Sequence, residues 1–195
     1  MAIAAGPERS ARERILETAS RLFYRDGFHA VGIDTIVAES GVAKMTLYRH
    51  FPSKDELIAA YLERSNAEFW TWLEAEIVDV ANPEAKLLAA FEAIGKLATS
   101  PRCLGCTFQA AASEFPELDH PGHVVAVAHK RRVLETFCEL AREAGLREPA
   151  GLAAQLLLLM DGAWVANRMF GPDNHAGSVA AAARALISVH AGHSA

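Results

Sequence analysis

Apolar residues recur along this chain at three- and four-residue spacing, and no stretch alternates with period two long enough to make a strand. That periodicity predicts an all-α protein of about nine helices. Ile15, Leu16, Ala19, Leu22 and Phe23 fall on one helical face, after which Gly27 offers a left-handed cap with Phe28 packing back on the helix. Ile33, Ile36 and Val37 make a second, short face closed by Ser40-Gly41, and Val42, Leu47 and Phe51 mark a third short helix bounded by Pro52. Ser53 can cap a fourth, long helix with Asp55 and Glu56 in its first turn, running to the break at Asn82-Pro83. Further helices are predicted over 84–98, 104–114, 122–144, 149–170 and 175–190, separated by "TSPR", "FPELDHPG", "EAGLREP" and "FGPDNHAG". The natural division is a three-helix head, residues 1–53, on a C-terminal helical bundle, residues 54–195.

Charge is distributed unevenly over these parts. The whole chain carries −5, yet residues 1–54 carry +2 and residues 55–195 carry −7, which suits contact with an anionic polymer at one end only. Three cysteines are an odd number for a disulfide framework and fit a reducing compartment. The first fourteen residues, "MAIAAGPERSARER", do not read as a signal peptide. The most apolar run, "LAAQLLLLM" at 152–160, is too short to span a bilayer and ends at Asp161. A soluble, cytoplasmic protein without a membrane partner is expected.

The stretch "GVAKMTLYRHFPSK", residues 41–54, is where function becomes legible. Two short helices joined through Ser40-Gly41-Val42 have the length and glycine placement of a helix-turn-helix, whose second helix lies in the major groove of DNA. Leu47 and Phe51 turn inward with Val42, leaving Lys44, Met45, Thr46, Tyr48, Arg49 and His50 outside. Lys44 and Arg49 can reach guanine O6/N7 or phosphate, Thr46 a base or a phosphate, and Met45 a thymine methyl, while Tyr48 and His50 can donate to phosphate oxygens. Lys54 can add a phosphate clamp at the start of the next helix. An amphipathic helix with a merely solvated polar face is the competing reading; the preceding helix, the glycine turn and the closing proline together decide against it.

"TIVAESGVAKMTLYRHFPSKDEL", with "RILETASRLFYRDGF" before it, resembles the DNA-binding head of the tetracycline-repressor (TetR/AcrR) family of bacterial transcriptional regulators. The likeness covers about residues 11 to 58, with "G-V-x-x-x-T-L-Y-x-H-F" at its core. It implies an all-helical homodimer joined through its last two long helices, a double-stranded operator, and a small-molecule effector in the C-terminal bundle. It also implies DNA contacts from Lys44, Met45, Thr46, Tyr48, Arg49, His50 and Lys54, with Thr35 as an extra phosphate contact from the second helix. Gly32 and Ala43 stand where the family often has Ser or Thr caps, which costs each short helix up to about 1 kcal/mol.

In the body, the helix at 149–170 is apolar on nearly every side, so a second copy is the economical cover for one face. A dimer would also set two recognition helices about 34 Å apart, one groove repeat, over a palindromic site. Phe69, Trp72, Phe91, Cys106, Phe108, Met160 and Trp164 are candidate effector-binding residues, with Gln109, Glu114 or Asn167 as polar handles for a mostly apolar or aromatic molecule. Cys103-Leu-Gly-Cys106 raises the alternative of a thiol- or oxidant-sensing regulator. A metal site would need a second ligand pair at matching spacing; Cys138, His120, His123 and His129 are the candidates, but His120 and His123 lie in a Pro-Gly turn that need not present one face, so no metal is expected. With no Gly-rich phosphate loop and no nucleophile elbow, neither an enzyme nor a cofactor is expected. A helical small-molecule binding protein or enzyme that does not touch DNA is the remaining alternative.

Overall fold

The structure is a computed structural model that describes residues 10–191. Residues 1–9 and 192–195, which carry most of the N-terminal reading and the two ends of the expected domains, lie outside the described residues. Among the described residues there are nine α-helices and no strand, as helical spacing predicts: α1 (Ala11–Asp26), α2 (Ile33–Ser40), α3 (Lys44–His50), α4 (Lys54–Ile77), α5 (Pro83–Ala98), α6 (Thr107–Glu114), α7 (Pro121–Glu143), α8 (Pro149–Phe170) and α9 (Val179–His190).

Several boundaries differ from the sequence reading, each for a local reason. Gly27 has φ +87 but ψ 169, so the chain leaves α1 extended and does not take the left-handed cap expected there; Phe28 still packs back on Phe23, ring centroids 5.4 Å apart. The fourth helix stops at Ile77, short of Asn82-Pro83; Asn82 then caps α5 by accepting from the Ala85 N–H at 2.8 Å. The helix expected from 104 begins at Thr107, because Gly105 sits at φ +91, a conformation outside any helix and open to glycine. The last expected helix divides into a 3-10 turn, His175–Ser178, and α9, with the Asn174 side chain accepting from Ala176 N–H at 2.7 Å to start the turn.

The described residues form two compact units: those up to 65 with 107–126, and 66–106 with those from 127 on. In the first unit, Ile15, Ala19, Leu22 and Phe23 of α1 are buried together with Ile36, Leu47, Leu57, Ile58, Leu62 and Phe108. Phe28 anchors an aromatic knot with Phe23, Tyr61 and Phe115, at centroid distances of 5.4 to 6.0 Å. The Glu114 carboxylate ends α6 by accepting from the backbone N–H groups of Phe28 (3.1 Å) and His29 (2.7 Å), and the His29 ring donates in return to the Glu114 carbonyl at 2.9 Å. His120 stacks on Phe115 at 3.9 Å with the planes 4° apart. These contacts hold α6 and the turn after α1 as one body within this unit.

In the second unit, α5, α8 and α9 pack pairwise around Leu87, Phe91, Ile94, Leu152, Leu156, Met160, Ala183 and Ile187. α8 runs from Pro149 through Asp161 to Phe170, matching the helix predicted over 149–170. It is long and apolar enough, by length and composition alone, to cross a membrane. Here Leu152, Leu156, Met160 and Trp164 are buried in the core, and Asp161 is ion-paired with Lys130.

Candidate nucleic-acid interface

Gly41, at φ 66 and ψ 27, is the left-handed residue that ends α2 and turns the chain into α3. An L residue with a Cβ would be strained there although nothing lies within 4 Å of the position. The turn seats α3 by its apolar side: Val42, Leu47 and Phe51 are buried, as their spacing requires. The opposite side of α3 presents Lys44, Met45, Tyr48 and Arg49 to solvent, Met45 being 79% exposed, while Thr46 and His50 are half-buried at its flanks. Thr35 is exposed on α2.

Neither short helix has a side-chain N-cap, at Gly32 or at Ala43, in keeping with the departures noted in the sequence. α4 is better started: Ser53 Oγ accepts from Glu56 N–H at 3.1 Å, beside the half-buried Lys54. Burial holds the Lys54 ammonium below the usual lysine value, with Asp55 and Glu114 opposing that shift.

Three features of this surface were not anticipated. Lys44 Nζ donates to Asp34 Oδ1 at 2.7 Å, and this bond and charge hold the ammonium above the usual lysine value. Arg21 of α1 pairs with Glu39 of α2. The Arg12 guanidinium lies 5.1 Å over the ring of Phe51, at the foot of α3. Partners ten or more residues apart leave no mark on helical periodicity; only the acidic and basic residues themselves were there to be read.

The expected effector residues divide between the units. Phe91, Met160 and Trp164 are buried in the core of the second unit, with Phe69, Trp72 and Cys106 packed against it. Asn167 is buried with them; its amide donates to the Ala98 carbonyl at 2.7 Å, and its Oδ1 has no hydrogen-bond partner among the described residues. Phe108 and Gln109 belong to the first unit, as does Glu114, whose carboxylate serves the turn after α1. Cys103 is buried, Cys106 and Cys138 are half-buried, and none of the three is in a disulfide. His120 and His123 lie in the first unit and His129 in the second; among the described residues no three His, Cys, Asp or Glu side chains are grouped to hold a metal ion.

A family of sequences described as "Bacterial regulatory proteins, tetR family" matches residues 15–61, from α1 through α3 into α4. A TetR-family transcriptional regulator from Streptomyces coelicolor has a solved structure that is 34% identical, covering 93% of this chain and 96% of that one, with a TM-score of 0.88. The HTH-type transcriptional regulator YjdC of Escherichia coli (strain K12) is 26% identical over 152 residues, 77% of this chain and 80% of that protein. The HTH-type transcriptional repressor KstR2 of Mycobacterium tuberculosis (strain CDC 1551 / Oshkosh) is 35% identical over 98 residues, 46% of this chain and 47% of its own length.

Proposed function

The chain belongs to the tetR family of bacterial transcriptional regulators, and from that premise we propose that it is a cytoplasmic repressor released from a palindromic operator by a small molecule. Regulators of this family are DNA-binding and dimeric. The observation that carries the DNA-binding side is the sidedness of α3: Leu47 fully buried below, Lys44, Met45, Tyr48 and Arg49 exposed above. In this reading Lys44 and Arg49 donate to guanine or phosphate and Met45 meets a thymine methyl. Thr35, Thr46, Tyr48, His50 and Lys54 bond the phosphate backbone and set the register. The head, residues 1–53, binds DNA; the remainder, residues 54–195, receives the effector and the second subunit.

For the dimer, α8 offers a stripe of its own. Leu158 (72% exposed), Gly162, Val165 and Met169 recur at i, i+4, i+7 and i+11, on the side of the helix away from Leu156, Met160 and Ala163. Gly162 keeps the centre of that stripe low, with nothing within 4 Å of the position a Cβ would take, and Ala181, Ala185 and Val189 are exposed along α9. We place the interface of the homodimer here, on the last two long helices.

The effector is placed among Phe69, Trp72, Phe91, Cys106, Met160, Trp164 and Asn167 of the second unit, which favours a mostly apolar or aromatic molecule with few polar groups. Phe91 and Met160 are fully buried, so binding requires part of this core to open. To switch occupancy sharply the effector must favour the state that does not bind DNA by about 10⁴-fold, or about 5.5 kcal/mol.

Substitutions on α3 and α4 test the assignment. Tyr48→Ala and Lys54→Ala are expected to weaken binding to every duplex about equally, by roughly tenfold each, with the salt dependence reduced for Lys54→Ala. Arg49→Ala is expected also to relax discrimination between bases at one position of each half-site, by about 1–3 kcal/mol. Titration of labelled duplexes of specific and scrambled sequence separates the two patterns. Unchanged binding by all of these variants would refute the groove assignment.

A further inference from the structure

Asp34 is an acidic residue at the edge of a surface read as a DNA contact, and generic DNA binding has no use for it. It is the second residue of α2, its side chain is 83% exposed, and its Oδ1 accepts from Nζ of Lys44 at 2.7 Å. Lys44 is the first residue of α3, the end of a recognition helix that meets base edges. A carboxylate in that place is repelled by every phosphate nearby. An ion pair so exposed contributes little to holding the head together. Asp34 also lies in the first turn of α2, where the helix dipole favours a carboxylate, but neither that nor backbone attraction requires it to be paired with Lys44.

Base chemistry does. The ammonium of Lys44 has two further hydrogens to donate, and the second oxygen of Asp34 can only accept, so the two side chains present a donor directly beside an acceptor. In the major groove a G·C pair shows the N7 and O6 acceptors of guanine and then the N4 donor of cytosine. The ammonium answers the two acceptors and the carboxylate answers the donor, with no like groups facing. At an A·T pair the ammonium keeps N7 and the carboxylate keeps N6–H, but the carboxylate then lies beside thymine O4, an acceptor against an acceptor. We infer that Asp34 and Lys44 act as one reading unit for a single G·C base pair in each half-site of the operator. This rests on the reading above that α3 enters the groove.

Selection of bound sequences from a randomised duplex pool by the full chain tests it, with the wild type, Asp34→Ala and Asp34→Asn compared. The wild type is expected to select G·C at one position per half-site by about tenfold over A·T. Asp34→Ala is expected to lose most of that preference. Its affinity for unselected DNA should rise, because the released ammonium can turn to a phosphate and steepen the slope of log K against log salt by about 0.9. Asp34→Asn, whose amide matches the N6/N7 edge of adenine, should move the preference toward A·T. An unfolding temperature for Asp34→Ala close to that of the wild type would show that the head is intact, since the exposed pair and the first-turn carboxylate each contribute little. If Asp34→Ala kept the wild-type base preference at every position, Asp34 would be only a neutralising partner of Lys44 and the inference would be overturned. A wild type that binds DNA but selects no G·C at such a position would sink this inference alone, and one that binds no duplex would sink the DNA-binding reading with it.

Discussion

Leu158→Glu is expected to convert the protein from dimer to monomer and to lower operator affinity by at least about 100-fold. Leu158 is 72% exposed on its own subunit, so the substitution leaves the core of the second unit untouched and the helical circular dichroism should not change. The damage falls on the proposed interface. A two-fold axis brings the same stripe of α8 from both subunits together, so one substitution introduces two carboxylates into one apolar contact. Burying two like charges without partners costs several kcal/mol, more than most interfaces can lose and stay closed at micromolar concentration. Operator affinity follows, because a monomer engages one half-site and forfeits the effective concentration that tethering gives the second head. Sedimentation velocity reads the first effect and duplex titration the second. Leu158→Met, which keeps the face apolar, should remain dimeric. A Leu158→Glu protein that stayed dimeric and bound its operator undiminished would move the interface elsewhere.

The second large effect is on stability against pH, and it comes from His129. Its ring is buried in the second unit, its Nδ1–H donates to Asn66 Oδ1 at 2.8 Å, and its edge meets the ring of Phe69 at 4.8 Å. The Trp70 indole N–H bonds the same Asn66 oxygen at 3.0 Å, and the Arg132 guanidinium lies 4.0 Å over the Trp70 ring. Burial, followed by the charges of Lys130 and Arg132, lowers the His129 pKa from 6.5 to about 3. Between those two values the unfolded chain binds the proton more readily than the folded one. The stability contributed by neutral His129 is therefore complete above about pH 6.5 and is lost as pH falls toward 3, at about 1.4 kcal/mol per unit. By pH 5 the loss from this residue amounts to about 2 kcal/mol. Urea unfolding of the wild type and His129→Phe at pH 7.5 and pH 5 isolates it. The variant should lose about 2 kcal/mol less across that interval than the wild type does. Equal losses in the two proteins would show that His129 protonates in the folded state without penalty.

How much of this could be read beforehand depended on the range of the interaction. The inward face of α3 was legible because Leu47 and Phe51 are one helical turn apart and Val42 adjoins the glycine turn. The N-cap of α4 was legible for the same reason, since Ser53 and Glu56 are three residues apart. The start of α1 carries an equally local signal, because Ser10 and Glu13 form a capping box in the S-x-x-E pattern. Longer-range partners were closed to the sequence. The pairing of Lys44 with Asp34 depends on how Gly41 aims two helices, and the hold of Glu114 on Phe28 and His29 spans more than eighty residues. Three histidines within ten residues looked alike, but only His129 of the three is buried, because tertiary packing and not spacing chooses which ring is enclosed. The helix at 149–170 looked apolar all round; packing of α5 and α9 against one side is what leaves Leu158, Val165 and Met169 as the other.

In the DNA complex the head of this chain should lie against the duplex as one of a pair. The direct measurement is a titration of the wild-type dimer into a labelled palindromic duplex at a series of salt concentrations, recording stoichiometry and affinity together. The prediction is one dimer per duplex, with log K falling linearly as log salt rises, by about 0.9 for each phosphate neutralised. Absence of binding even at about 50 mM salt, or an affinity indifferent to salt, would contradict it.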